Sequence, residues 1–391
     1  MSAYWDGVAT ASTSATAGAT CSVSTNSSGG FTTQTISSVG SCIWSTPSGV
    51  TRADVLVVGG GGGVSGNWTA SNSAAGSGGG GGVYTATAVP VSGVINVVVG
   101  AGGAGGTAGT DRTLVSVSQG ETTSFGSLSA GGGGGGGCPT AGTANGSACT
   151  DASIKGRAGT AAGNGGSPSN FWNAYNFGDA GTASNAIIGG VTFNAISGFR
   201  SGIFTVGSST GNSAASGGGA GAVGTFNAPG AGVTSTLTGS TVYGRGGSSW
   251  DATTWNLDAP AANSGFGGNG GYSAAGTATN GVSGASGIVV IRYVNAPSIT
   301  LSTSTISAAI NSAITSYSIT QSGGPVASYS IPSADNTAIT GVGLSFSTST
   351  GLISGTPTGT LASRSITITA TNTSGTSTAT FSLAVTNVAC S

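Results

Sequence analysis

Gly131-Gly132-Gly133-Gly134-Gly135-Gly136-Gly137 decides how this chain is read. Seven glycines in a row make neither a helix interior nor an ordinary strand. Each forfeits backbone entropy and offers no side chain to bury. Two readings remain. One is a flexible linker. The other is a left-handed three-residue helix rising about 3.1 Å per residue, so that seven residues span roughly 22 Å. That helix has no internal hydrogen bonds and persists only where neighbouring segments satisfy its backbone. Neighbours of the same kind exist in the sequence: Gly59 to Gly63 and Gly78 to Gly82 are five-glycine runs. Gly217 to Gly219 and Gly267 to Gly271, broken by Asn269, are shorter echoes. Backbones without Cβ atoms can lie close together, so a glycine-packed layer is expected.

Glycine contributes 77 of the 391 residues, about a fifth against roughly 7% in ordinary proteins. The glycines follow no strict three-residue period and only ten prolines accompany them, which excludes collagen. Disordered chains normally carry charge to stay solvated. Here only 4% of residues are charged and 37% are apolar, with a mean hydropathy of +0.23. An ordered, β-rich protein follows.

Charge and residue usage exclude several functions. Eight cations and nine anions give a net charge of −1, no electrostatic footprint for nucleic acid. Histidine is absent, which removes the commonest general base and the commonest metal ligand together. A Ser or Cys nucleophile therefore lacks its usual partner. Asp111, Glu121 and Asp151 are isolated acids in polar stretches, not a carboxylate pair. Gly100 and Gly103 imitate a dinucleotide loop without the helix that would hold phosphate. No EF-hand spacing accompanies Asp251 and Asp258. The chain reads as a non-enzyme without a cofactor.

No stretch reaches 18 apolar residues, so no membrane insertion is expected. Met1-Ser2-Ala3-Tyr4-Trp5-Asp6 lacks the basic and apolar regions of a secretory signal. The expectation is either a mature chain or one made in a cytosol and released by another route, such as lysis by a virus. The five cysteines fit no zinc spacing. Two local disulfides are candidates, Cys21–Cys42 and Cys138–Cys149, and both imply an oxidising destination. Cys390 is left to pair between subunits or stay free.

Three segments emerge. Residues 1–45 are rich in Ser, Thr and Ala, with Trp5, Phe31, Ile43 and Trp44 as apolar anchors. Short strands and an extended attachment arm fit them equally. Residues 46–295 are the glycine-rich part. Pro47-Ser48-Gly49 reads as a turn between strands. Val55 to Val58, Val94 to Val99 and Ile288 to Tyr293 read as strands buried on both faces. From residue 296 to 391 glycine thins and strict alternation takes over. Ile366, Ile368 and Ala370 share one face, as do Ala379, Phe381, Leu383 and Val385. Turn signals lie at Gly351, Gly355-Thr356-Pro357 and Ser374-Gly375, at the intervals of a β-sandwich.

The string Trp44-x-x-Pro47-x-Gly49-Val50-Thr51-x-x-Asp54-Val55-Leu56-Val57-Val58, followed by glycines, resembles the opening of the glycine-rich domain of phage tail fibres and related surface proteins. Gly120-x-x-Thr123-Ser124-Phe125-Gly126-Ser127-Leu128 matches it next. Gly232 to Tyr243 and Gly284 to Tyr293 follow in the right order, so the resemblance spans about 43–294. Gly343 to Pro357 is similar to a signature of immunoglobulin-like domains, over about 297–388. The implied fold is all-β: a glycine-rich β domain with packed segments of the polyglycine II type, then an immunoglobulin-like sandwich.

The resemblance implies a structural part of a virion surface: a tail fibre, tail-tip adhesin or head-decoration fibre. The alternative is a secreted bacterial adhesin or extracellular filament subunit. Implied partners are further copies of the chain (trimeric, as fibres commonly are), other virion proteins bound through residues 1–45, and a host glycan or receptor. Two insertions depart from the family pattern, at 167–215 and 245–262. Phe171, Trp172, Tyr175, Phe177, Trp250 and Trp255 stand in them as candidate receptor contacts, because aromatics on loops of a rigid scaffold suit recognition. The other reading of these insertions is that they fold as satellite cores or subunit contacts.

Overall fold

The computed structural model describes residues 18–64, 66, 73–74, 76–107, 118–137, 185–188, 190–193, 216–225, 228–248, 259–270, 272–273 and 280–387. The first described strands are β1 (Ser24–Ser28) and β2 (Phe31–Ile36), paired as a hairpin, then β3 (Gly40–Ser45) and β4 (Arg52–Val58), which enter different sheets. Val50 donates back to the Pro47 carbonyl at 3.1 Å, and Gly49 takes φ +80° to close the turn between β3 and β4. Next come β5 (Ser73–Ala74), β6 (Val83–Pro90), β7 (Val94–Val99), β8 (Thr123–Phe125) and β9 (Leu128–Ala130). β10 (Ala186–Ile188) and β11 (Val191–Phe193) make a hairpin, as do β12 (Val233–Ser235) and β13 (Thr241–Tyr243). β14 (Tyr272–Ser273) pairs with β5, and β15 (Ile288–Val294) ends this part of the chain.

Two antiparallel sheets form the frame, in orders β1-β2-β15-β4-β6 and β3-β7-β8-β9. Residues 24–45 are thus strands of the frame, and β2 lies inside the larger sheet. Between the sheets, Val55, Val57, Val289 and Ile291 meet Val97, Val99, Phe125 and Leu128 in one core. Trp44 tilts against Phe125 with ring centroids 5.5 Å apart. Its indole N–H donates to Gln34 Oε1 at 2.7 Å, the partner a buried Trp needs. On the opposite face of β4 and β15, Leu56, Val58, Ile288 and Val290 pack with Leu237 and Tyr243.

Both central strands are therefore covered on both sides, and each fully buried Val, Leu or Ile there contributes about 1.5–3 kcal/mol. β7 departs from the expectation. Val97 and Val99 are buried, but Val94 is 67% exposed. The four-stranded sheet is packed on one face only at the Val94 end of β7, and the β-branched run supports pairing there instead of a second core.

Beyond the strand ends the chain leaves the sheets as glycine segments that run between one another. Gly59, Gly60 and Gly61 donate in turn to Gly82, Glu121 and Ala285; Gly62, Gly63 and Val64 repeat the cycle on Gly79, Ser118 and Val282, all at 2.8–3.0 Å. Each acceptor lies three residues back from the one before. Likewise Gly76, Gly79 and Gly82 donate to Gly137, Gly134 and Gly131, and Gly281, Gly284 and Gly287 to Gly106, Gly103 and Gly100. Gly133 and Gly136 complete the contact by donating to Gly60 and Gly63.

A repeat of three turns each segment toward three neighbours, whereas a strand's repeat of two reaches only two. Residues 131–137 are buried throughout. A Cβ on Gly62 would fall on the Gly134 carbonyl, and one on Gly132 on the Gly120 carbonyl. Glycine is required here for close approach, and the linker reading of the seven-residue run fails.

The C-terminal part holds β16 (Pro297–Leu301), β17 (Thr305–Ala309), β18 (Ile319–Gly323) and β19 (Ser328–Ser330). After α1 (Ser333–Thr340) come β20 (Leu344–Phe346), β21 (Ile353–Gly355), β22 (Leu361–Asn372) and β23 (Gly375–Thr386). The main sheet runs β17-β23-β22-β19, with β17 and β23 parallel, while β16 pairs with β18 and β20 with β21. Ile366, Ile368 and Ala370 on β22 and Phe381, Leu383 and Val385 on β23 face the core with Ile299, Tyr317 and Ile339.

The all-β expectation gains one correction in α1. Pro332 ends the extended chain, and its carbonyl accepts from Asp335 N and Asn336 N at 2.9 and 3.0 Å. Ile339 is fully buried. Asp335, also buried, receives the Arg364 guanidinium at 2.6 Å, as a buried carboxylate requires.

Candidate functional site

Alternation along β2 gives its two faces different work. Thr32, Gln34 and Ile36 point into the frame, where Ile36 is wholly buried. Phe31, Thr33 and Thr35 face outward into a groove of about 490 Å³. In-register pairing sets the wall: Ser24, Asn26 and Ser28 of β1 stand opposite Thr35, Thr33 and Phe31. From the other side Arg292 of β15 stands opposite Thr33. Leu237 and Thr238, from the short 3-10 turn Thr236–Thr238, close one end.

One rung crosses four strands here: Asn26, Thr33, Arg292 and Asp54. The Arg292 Nη2 donates to Asp54 Oδ2 at 3.1 Å, and Asp54 Oδ1 accepts from Ala88 N at 3.0 Å. The guanidinium also lies over the Phe31 ring, 5.4 Å from its centre. The groove thus offers short hydroxyls and an amide, one aromatic ring that stays 36% exposed, and a guanidinium whose charge is already balanced. Phe31 is a groove residue, not the core anchor its apolar character suggests. The odd-numbered alternation Phe31, Thr33, Thr35 was the available signal, and its partners on β15 lie about 260 residues away.

The candidate contacts Phe171, Trp172, Tyr175, Phe177, Trp250 and Trp255 lie outside the described residues, as do Cys138, Cys149 and Cys390. Of the insertions' remaining apolar residues, Ile188 and Phe193 pack against the frame core, while Ile187 is 69% exposed. Arg245 stacks on Phe266 at 5.1 Å. Cys21 and Cys42 are disulfide-bonded with Cα atoms 4.9 Å apart. Hydrogen bonds from Cys21 N to Ile43 O and from Ile43 N to Ala19 O, both 2.9 Å, tie the incoming chain to β3.

Glu121 serves the glycine layer, its carboxylate accepting from Ala101 N at 3.1 Å. Among the described residues no group of three or more His, Cys, Asp or Glu could hold a metal ion. No helix among them is long and apolar enough to cross a membrane.

A comparison with curated proteins finds no match. Two protein families do match, and neither is catalytic. Residues 292–386 match the Ig domain family, which agrees with the sheet order and core of β16 to β23. The disulfide and this domain fit a protein that works outside the cell. Residues 32–294 match the glycine-rich domain family, a span that holds β3 to β15 and the glycine runs between them. By this match, over two thirds of its length, the chain belongs to the glycine-rich domain family.

Proposed function

We propose that this chain is a non-enzymatic structural protein of a phage particle, a tail fibre, tail-tip adhesin or head-decoration fibre that meets the host cell. The observation that carries the reading is the three-residue hydrogen-bond cycle of the glycine segments. Packed glycine segments of the polyglycine II type pair their backbone groups with one another, without charge or side-chain burial. They make a stiff body from small residues, which suits a projecting part. Copies of the chain assemble together, as a trimer in this reading, on a particle surface. The aromatic insertions at 167–215 and 245–262 supply contact surface toward a host receptor.

A second reading, a secreted bacterial adhesin or filament subunit, is favoured by the Cys21–Cys42 bond, since export is the usual route to an oxidising compartment. Immunogold electron microscopy separates the two. Label on purified phage particles supports the virion role. Label only on cell envelopes or free filaments overturns it and leaves the second reading.

A further inference from the structure

We propose that the groove over β1, β2 and β15 is a binding site for a neutral oligosaccharide. The proposal rests on the surface role above and names what that surface holds. The volume of about 490 Å³ falls within the roughly 300–1,000 Å³ of small-molecule sites. Its wall has the donor and acceptor pattern of a sugar's partners. Thr33 and Thr35 each give one hydroxyl donor and two acceptor lone pairs, and Asn26 gives an amide that does both. Phe31 carries the Arg292 guanidinium over one side of its ring and keeps the rest partly exposed, an apolar surface of the kind on which the C–H face of a pyranose rests.

Other ligand classes fit less well. Arg292 is paired with Asp54 through Nη2, so the charge it presents to an acidic saccharide or phosphate is offset by a neighbouring carboxylate, although its buried Nε has no partner. Phe31 and Leu237 alone are apolar, too little for a hydrophobic peptide or an acyl chain. Preorganisation is built in. Asn26, Thr33 and Arg292 sit on one rung of three hydrogen-bonded strands, about 4.8 Å apart, so binding orders little that is not already ordered.

The test is binding of the full chain to an array of neutral and acidic oligosaccharides, repeated with Phe31→Ala and Thr33→Val. Both positions face outward, and circular dichroism of each variant checks that the frame is intact. The expected result is capture of neutral glycans, insensitive to salt between 0.05 and about 1 M, with at least a tenfold loss in each variant. Capture of acidic glycans alone, no capture, or undiminished capture by both folded variants would overturn the proposal. Labelling of host cells separates it from the surface role. Equal labelling by wild type and Phe31→Ala removes the groove and leaves the role standing. Loss of labelling in the variant supports both.

Discussion

The side-chain amide of Asn372 donates to the main-chain carbonyl of Asn295 at 2.8 Å, bridging the two parts of the chain where they join. Asn295 is held from the other side as well. Its N–H donates to Gly30 O at 2.9 Å, and its Oδ1 accepts from the Thr32 hydroxyl at 2.6 Å. Only Asn295 and Ala296 separate β15 from β16. The tip of the β22–β23 hairpin comes down on the frame so closely that a Cβ on Gly49 would meet the Ser374 carbonyl. The link is a joint hydrogen-bonded to both the sandwich and the glycine-rich part.

Asn372→Ala tests the joint. The amide also reaches Pro325 O at 3.1 Å, and its Oδ1 accepts from Ser374 N at 2.8 Å. Losing all three costs about 2 kcal/mol at roughly 0.5–1.5 each, less what water recovers. Differential scanning calorimetry should show the Ig-like transition falling away from the glycine-rich one. Limited proteolysis should find a new cut near 295–296. An unchanged thermogram and digest would mean that the joint is held by other contacts.

Gly62→Ala tests the glycine layer. Its new methyl lands on the Gly134 main chain, which cannot rotate away, so the expected cost exceeds about 4 kcal/mol, the range reserved for gross misfit. Gly18→Ala is the control, because there the nearest atom to a Cβ is Ile43 Cγ2 at 3.5 Å, an ordinary contact. Urea unfolding of the two variants should differ sharply. Comparable midpoints would show that the segments separate easily and that their hydrogen-bond cycle is not what stiffens the fold.

Reduction of Cys21–Cys42 frees a loop with a sequence separation of 21. The entropy returned to the unfolded chain is worth about 3 kcal/mol for a loop of this size. Cys21→Ser with Cys42→Ser should lower the denaturation temperature of the glycine-rich part and leave the Ig-like transition unmoved. A drop in the second transition would contradict the confinement of this bond to the first frame.

Much of this was legible from residue types alone. Gly131 to Gly137 alone fits a linker as well as a packed segment, but several such runs in one chain imply one another as partners. The alternation of Ile366, Ile368 and Ala370 names its own face. What stayed hidden depended on partners remote in sequence. Phe31 reads as a core residue until β1 and Arg292 are set beside it. Val94 to Val99 reads like Val55 to Val58, because nothing local says that one outer face goes uncovered. In α1 only Asp335 and Ile339 turn inward. Asp335 is explained by Arg364, 29 residues away, so no apolar stripe announced the helix.

Tyr317 is expected to weaken the Ig-like domain at alkaline pH. Its hydroxyl donates to Gly351 O at 2.9 Å and accepts from Ile353 N at 3.0 Å, while its ring tilts on Phe381 with centroids 5.1 Å apart. Burial pushes its pKa up to about 12, against a smaller opposing pull from the Ile353 N–H. In the unfolded chain the phenol ionises near 10. The folded state therefore holds a proton that the unfolded state gives up. Its stabilising effect is complete below pH 10 and is lost as pH rises through 12, on the order of 2–3 kcal/mol in all. Tyr317→Phe strands a buried N–H and a buried carbonyl, so it should cost about 1–3 kcal/mol at pH 7. It should also flatten the stability profile between pH 10 and 12. Denaturant titrations of both proteins across that window decide the matter. Parallel slopes would show that this hydroxyl does not govern the alkaline loss.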